Sequence, residues 1–372
     1  MNITGLQMNI TFFGTYNTAT TPRIQVIIDG LRAHRYVVSE CNVPLKVSTS
    51  QRVSILRQPW KLPLLIANIS SCWIRLIARK RHMPTSSAVV IGHLGQFDIH
   101  LAKLLFRRQK IILDYMISGG DTARDRGVNV GLKLRLLTFL DNSALRAADT
   151  VLVDTEEHKE RIPKKYQDKV VVVNVGASDN WLMTIHKPNS NEHPLKVIFF
   201  GNYTPLQGTP TIGEALGKSR IPLEVTMVGT GQDEVATKRA TKVHDSLANI
   251  TWIDWIDSTE LPKLVASHDV CLGIFGTGPK AYRVVPNKIY QGAAAGCALI
   301  TSDTPPQRRI LKDAALFVPP GDTSALKNAL EYLASNPSEV NKLQIAAHKL
   351  ALQSFTPKTV ILPLLENISS ED

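Results

Sequence analysis

Lys280, Arg283, Asn287, Lys288 and Gln291 fall within one stretch, Asp269 to Asp303, and their types and spacing suit the handling of a polyanion. The stretch reads as a short apolar strand (270–275), a Gly-rich loop carrying Lys280 and Arg283, a helix opening at Pro286, and a second strand (298–302). Pro at the first helical position and Gly296 just past the end are the punctuation such a helix needs. Lys288 and Gln291 are three apart and Asn287 and Gln291 four apart, so all three share one face of the first turns. A helix N-terminus, an ammonium and two amides facing one way suit a diphosphate. The same pattern also describes an ordinary α/β crossover with a solvated polar face, so the surrounding elements must decide.

Those elements alternate. Strands are expected at 196–200, 224–228, 250–252, 269–275, 298–302 and 316–318, with helices at 211–216, 234–243, 259–267 and from 322 to 333. That order predicts a parallel sheet covered on both faces. The first half follows the same plan, with strands at 9–14, 37–42, 88–92, 110–114, 151–154 and 170–175. Phe12–Pro22 (FFGTYNTATTP) and Phe199–Pro210 (FFGNYTPLQGTP) both read strand, Phe-Phe-Gly, Tyr-containing polar loop, Thr-Pro helix start. The repeat predicts two domains that each open with a nucleotide-type βα unit. A chain of 372 residues also exceeds the size at which one core stops growing. The expected fold is α/β, two doubly wound Rossmann-like domains facing across a cleft. The expected boundaries are 1–182, a linker at 183–194, a second domain at 195–354, and a helix at 355–372 returning to the first domain.

Ligands of open α/β sheets collect at the carboxyl ends of the strands. His93, Asp98, His100, Asp114, Asp121 and Asp125 stand there in the first half. Asp98 reads equally well as a helix cap, and the run 121–126 as a surface salt-bridge cluster.

Apolar content of 44% and charged content of 20% belong to an ordinary globular chain. The formal charge of +11 is unevenly placed: residues 1–90 hold 11 Lys and Arg against 2 Asp and Glu, whereas residues 186–372 hold 18 of each. The first quarter therefore calls for an anionic partner. Within it, residues 52–82 interleave Trp60 and Trp73 with Arg57, Lys61, Arg75, Arg79, Lys80 and Arg81. Their apolar run is too interrupted for the ~20 residues that span a bilayer. It suits a helix lying in an anionic membrane interface, or else a core helix with a solvated basic end. No nucleic-acid motif is present, so nucleic acid is not an expected partner. Residues 1–8 lack the apolar core of a signal peptide. Cys41, Cys72, Cys271 and Cys297 are scattered, without C-x-x-C or a His at ligand spacing. They are expected as buried thiols of a cytoplasmic protein, peripheral on the inner face of the membrane, with no metal site and no cofactor.

The ordered motifs of the second half resemble those of retaining glycosyltransferases of the GT-B fold, close to the family-4 group (group 1 glycosyltransferases). They are FFGNYTPLQGTPTIGEAL, VTMVGTGQDE, TWIDW, HDVCLGIF, and Pro286-Asn-Lys288-Ile-Tyr-Gln291 followed by GAAAGCALI. In the first half the run from Asp114 through Ser118, Asp121 and Asp125 to Gly127, and the element ADTVLVDT, are similar to family elements too. The resemblance implies that the second domain binds a nucleotide sugar and the first an acceptor. It places Gly201, Gln207 and Gly208 along the diphosphate, Thr230 and Gly231 near the nucleoside, and the stretch from Trp252 to Trp255 bordering the base, with Asn202 and Tyr203 also in the donor site. Phe275, Asn287, Lys288 and Gln291 complete the donor site. Gly14, Tyr16, His93, Asp98 and Asp125 fall on the acceptor side.

Three departures from the family pattern stand out. The basic pair that grips the diphosphate is replaced by Asn202 or Tyr203 and by Gln207, leaving Lys280, Arg283 or Lys288 to supply the charge. In the E-x7-E pattern Arg283 stands for the first Glu and Gln291 for the second; an amide still bonds ribose hydroxyls, less strongly than a carboxylate. The His that follows the fourth strand has no counterpart. The expected activity is transfer of a sugar from a nucleotide-sugar donor to a glycan, lipid-linked or small-molecule acceptor in polysaccharide or glycolipid biosynthesis, with retention and without a metal. Lys288, Lys280, Arg283, Asp114 and Asp121 are its candidate catalytic residues. The alternative is a weakly active or inactive GT-B protein that binds a sugar nucleotide or glycan within a biosynthetic complex.

Overall fold

The computed structural model describes residues 8–18, 21–45, 62–92, 95–116, 118–125, 131–184, 194–243 and 245–370. His93, the 52–61 part of the basic segment and residues 185–193 of the expected linker lie outside these, as does the side chain of Asp125. The chain divides into two compact units: Met1–Asp154 with His158–Val173 and Ile361–Asp372, and Thr155–Glu157 with Asn174–Val360.

The first unit runs β1 (Asn9–Gly14), α1 (Pro22–Ala33), β2 (Val37–Asn42), α2 (Leu62–Lys80), β3 (Ala88–Ile91), α3 (Asp98–Leu105), β4 (Lys110–Asp114), α4 (Gly119–Asp125), α5 (Leu132–Ala147), β5 (Thr150–Val153), α6 (Glu156–Arg161) and β6 (Val170–Val172). Its six strands pair in parallel in the order β2-β1-β3-β4-β5-β6. Short apolar runs such as β3 and β5 are buried at every position, as a strand covered on both faces must be. The direction of winding reverses at β1, which puts the crevice of this sheet beside Gly14.

The core of this unit encloses a charge pair. Arg23, in the first turn of α1, donates Nε to Asp114 Oδ1 at 2.8 Å and Nη1 to the Val173 carbonyl at 2.6 Å, with both side chains 1% exposed. Asp114, expected to serve sugar hydroxyls or catalysis, instead ties α1 to the end of β4 through Oδ1, while its Oδ2 is buried with no hydrogen-bond partner among the described residues. A strand-end position shows where a carboxylate lies, not which distant cation will claim it.

The second unit runs α7 (Asp179–Leu182), β7 (Leu195–Phe200), α8 (Thr209–Gly217), β8 (Leu223–Val228), α9 (Glu234–Ala240), β9 (Ala248–Ile253), α10 (Leu261–Ala266), β10 (Val270–Leu272), α11 (Asn287–Ala294), β11 (Ala298–Ser302), α12 (Pro305–Leu311), β12 (Leu316–Val318), α13 (Thr323–Ser335), α14 (Pro337–Leu350) and α15 (Pro357–Val360). Its parallel strand order is β12-β11-β10-β7-β8-β9. Residues 174–182, expected in the first domain, pack here: Ala177 N–H donates to the Phe355 carbonyl at 2.8 Å, and Trp181 stacks on Phe200 at 5.8 Å. A π-helical turn, Ala351–Phe355, precedes Pro357. The last helix, α16 (Leu362–Ser369), belongs to the first unit, where Asn367 Oδ1 accepts from Lys110 Nζ and Thr150 Oγ1 at 3.1 Å each.

Removing one partner of a buried ion pair strands the other, at a cost of about 3–5 kcal/mol. Asp114→Ala should therefore lower the urea midpoint of the first unit's transition. A variant that loses turnover while melting like the parent would return Asp114 to the chemistry.

Candidate functional site

In the second sheet β7 lies between β10 and β8, so winding reverses between β7 and β10. The loops that leave these two strands, 201–208 and 273–286, flank the switch point where open sheets bind ligands. They are joined directly, Phe275 N–H donating to the Gln207 carbonyl at 3.0 Å. Gly208 makes the approach possible. Its φ is +63°, and a Cβ there would lie 2.4 Å from the Phe275 carbonyl carbon. The loop after β8 is tied in as well, through Tyr203 N–H to the Thr230 carbonyl at 2.9 Å.

Lys288 enters this junction from the first turn of α11. The residue is 4% exposed, and its Nζ lies 2.5 Å from Gln207 Oε1 and 3.5 Å from the centroid of the Phe199 ring. Gly201 covers it closely, since a Cβ at that position would stand 3.3 Å from Nζ. Among the described residues no carboxylate pairs with the amine. Burial pushes the Lys288 ammonium well below the ordinary lysine range, with the neighbouring Cys271 acting weakly the other way. Cys271 itself is pushed up to about 12 by burial and stays a thiol. One turn on from Lys288, Gln291 is 6% exposed, and its carboxamide has no hydrogen-bond partner among the described residues. A buried cation over an aromatic face, next to an unspent amide and a glycine-lined loop, is equipped to receive an anion bearing hydroxyl groups.

The structure thus joins Gly201, Gln207, Gly208, Thr230, Gly231, Phe275 and Lys288 in one cluster, with Gln291 a turn along the same helix. Asn202 and Thr230 are exposed at its rim and Asn287 is half-buried. Phe275 contributes backbone, its side chain lying in the core. Tyr203 departs from expectation. Its ring is fully buried edge-on against Phe199 at 5.7 Å, and its hydroxyl has no partner. Trp252 is half-buried with Lys238 Nζ 5.3 Å from its ring, whereas Trp255 is exposed. Lys280 and Arg283 are half-buried on the 273–286 loop, and Arg283 Nε turns back to the Pro279 carbonyl at 3.0 Å.

The first unit corrects several acceptor-side expectations. Asp98 is buried and fully engaged, accepting from Thr15 N–H at 2.7 Å, Thr15 Oγ1 at 2.8 Å and Trp73 Nε1 at 2.8 Å. Gly14 is the turn beneath that anchor, with Asp98 Oδ2 2.9 Å from where its Cβ would be. Tyr16 is buried edge-on against Phe12 and donates to Glu40 Oε2 at 3.2 Å. Tyr16 and Tyr203 occupy the same place in the repeated βα unit, and in both units the tyrosine plugs the core.

Asp121 keeps an open setting. It lines a cavity of about 210 Å³ beyond the ends of β4 and β5, with Arg124 at 3.0 Å and Arg161 at 3.9 Å from its Oδ1. The cavity also holds His158, whose Nδ1 is hydrogen-bonded to Asp154. This His–carboxylate pair was missed from the sequence, although its signal was present: Asp154 and His158 stand four apart at the start of a charged helix. Among the described residues no group of three His, Cys, Asp or Glu could hold a metal ion.

Residues 194–336, within the second unit, match the family model described as glycosyl transferases group 1. The whole chain is similar in fold to sucrose-phosphate synthase from Thermosynechococcus elongatus, with a TM-score of 0.69 and 13% identity over 98% of each chain. It is similar also to Anabaena HepE in complex with UDP and glucose, with a TM-score of 0.66 and 13% identity over 98% of this chain and 100% of that one. A third is a glycosyltransferase from Rickettsia africae, with a TM-score of 0.60 and 15% identity over 98% of each chain. Comparison with curated proteins finds no match in sequence. The two Rossmann-like units are those of the GT-B fold.

Because the Tyr203 hydroxyl is buried without a partner, Tyr203→Phe removes a desolvated donor and nothing else. The variant should melt at the same temperature as the parent or higher and bind nucleotide within about twofold of it, as read by calorimetry. A tenfold loss of nucleotide affinity would put Tyr203 back at the donor.

Proposed function

We propose that the protein transfers a sugar from a nucleotide-sugar donor to a glycan, lipid-linked or small-molecule acceptor, with retention, and with Lys288 rather than a metal carrying the leaving group's charge. The observation behind this reading is the buried, carboxylate-free ammonium of Lys288 at the switch point of the sheet within residues 194–336, which match that family model. An unpaired cation in a core destabilises the fold. It is accounted for if an anion completes it. A donor diphosphate seated over the 201–208 loop would take over the amine from Gln207, and Gln291 would turn its free carboxamide to the donor's hydroxyls. Asn202, Thr230 and Gly231 lie at the rim where the rest of the nucleotide would extend, and Trp255 is the exposed aromatic near the base.

When the bond between the anomeric carbon and the diphosphate breaks, its electron pair leaves on phosphate oxygen. Lys288 and the N-terminus of α11 stabilise that developing charge. The acceptor oxygen forms the new bond on the same face and its proton passes to the departing phosphate. The cavity lined by Asp121, Arg124 and His158 offers hydrogen-bonding groups for acceptor hydroxyls. HepE was solved with UDP and glucose, which makes uridine nucleotides the first donors to test. A lipid-carried acceptor would be met at the inner face of a membrane, with segment 52–82 on the anionic surface.

Lys288→Met separates function from stability. Turnover of any accepted donor should fall on the order of 10²-fold or more, while the melting temperature holds or rises because the buried charge is gone. Unchanged kinetics would overturn the assignment; binding without turnover in the parent would favour the inactive sugar-nucleotide binder.

The same lysine sets a pH dependence. Its folded pKa lies below the unfolded value of about 10.4, so between the two the unfolded chain holds the extra proton and stability rises with pH. Diphosphate binding restores the proton, so affinity should fall as pH rises through that window. Titration calorimetry in two buffers should show proton uptake in the parent and none in Lys288→Met.

A further inference from the structure

We infer that the outer faces of α2, α3 and α5 together form a docking surface for an anionic lipid bilayer, broader than segment 52–82. The inference goes beyond the transfer reading and does not depend on it. In the order β2-β1-β3-β4-β5-β6, the steps from β2 to β3, β3 to β4 and β4 to β5 all move the same way across the sheet. Right-handed crossovers place the helices of these three steps on one face, side by side, with α1 on the other. Each helix turns large apolar side chains outward. In α5, Leu132, Leu136 and Phe139 are 82%, 52% and 66% exposed and recur at i, i+4 and i+7, so they form a single stripe. Leu104 of α3 and Ile74 of α2 are exposed in the same way.

The exposed charge that these helices carry is positive. Arg75, Lys133 and Arg135 are exposed, and the three helices contain two acidic residues, Asp98 and Asp141, both buried. Asp98 is held by Thr15 and Trp73, and Asp141 accepts from Ser118 Oγ at 2.8 Å and Gly120 N–H at 2.9 Å. Beside these helices the exposed carboxylate of Asp149 is neutralised by Lys103 of α3 at 2.8 Å, so aliphatic and aromatic groups stand among net positive charge, which matches the boundary between anionic headgroups and acyl chains. A second copy of the chain fits worse, because a two-fold contact would press this basic face against itself. The surface lies on the bilayer: among the described residues no helix is long and apolar enough to cross one.

Flotation of the full chain with phosphatidylcholine vesicles, with and without phosphatidylglycerol, tests the inference. The parent should float with the anionic vesicles at low salt and less at high salt. The double variant L136E/F139E should bind them roughly tenfold more weakly or worse, with its melting temperature and nucleotide binding unchanged. Three results would overturn it. They are a parent that does not float at low salt, a double variant that floats like the parent, and a parent dimer that the double variant dissociates while vesicle binding is untouched. The second leaves segment 52–82 as a membrane contact and removes α5 from it.

Discussion

A single ammonium held out of water orders the second unit. Lys288 has a neutral oxygen, an aromatic face and a glycine around it, and no carboxylate among the described residues. Burying a charge on those terms is among the costliest arrangements a core can contain. The surroundings show how the cost is contained. Phe199 presents its negative ring face, Gln207 turns its oxygen inward, and Gly201 gives up a side chain to let the amine approach. Gly208 then lets the 201–208 loop close against Phe275, so the amine is fixed by backbone rather than left to swing. A site of this kind is preorganised before any ligand arrives, which is where electrostatic stabilisation is strongest.

The first unit handles its buried charge in the opposite way. Arg23 and Asp114 are buried as a pair, and Arg23 also reaches the Val173 carbonyl. That arrangement gives the buried carboxylate a counter-charge and holds α1 against the strand ends, although Asp114 Oδ2 is buried with no hydrogen-bond partner among the described residues. Asp98 is held by Thr15 and Trp73. Buried charge alone therefore does not mark a functional residue in this protein. Buried charge without a counter-charge does.

Much of the fold was legible because its signals are local. The βα alternation, the Pro and Gly that bound α11, and the Phe-Phe-Gly repeat all appear within short windows, and both parallel sheets follow from them. The grouping of Gly201, Gln207 and Lys288 was legible only through the order of four motifs. What escaped was pairing at a distance. Arg23 lies 91 residues from Asp114 and Thr15 83 residues from Asp98, separations at which no periodicity reports a partner. Tyr16 and Tyr203 were misplaced for a different reason: a tyrosine in a polar loop beside a glycine looks like a ligand contact, and its inward rotation is decided by the aromatic ring four residues earlier.

That pair of tyrosines bears on how the chain folds. Phe12 with Tyr16, and Phe199 with Tyr203, close contacts between residues four apart, and closing so short a loop loses little chain entropy. The ladders beside them are far more demanding, β1 having to find Ala88 and β7 having to find Val270. Each unit therefore contains, at its first βα turn, a hydrophobic brace assembled from neighbours in sequence, ahead of any long-range strand pairing. The duplication gives each half its own low-contact-order starting point, so neither half must borrow a nucleus from the other.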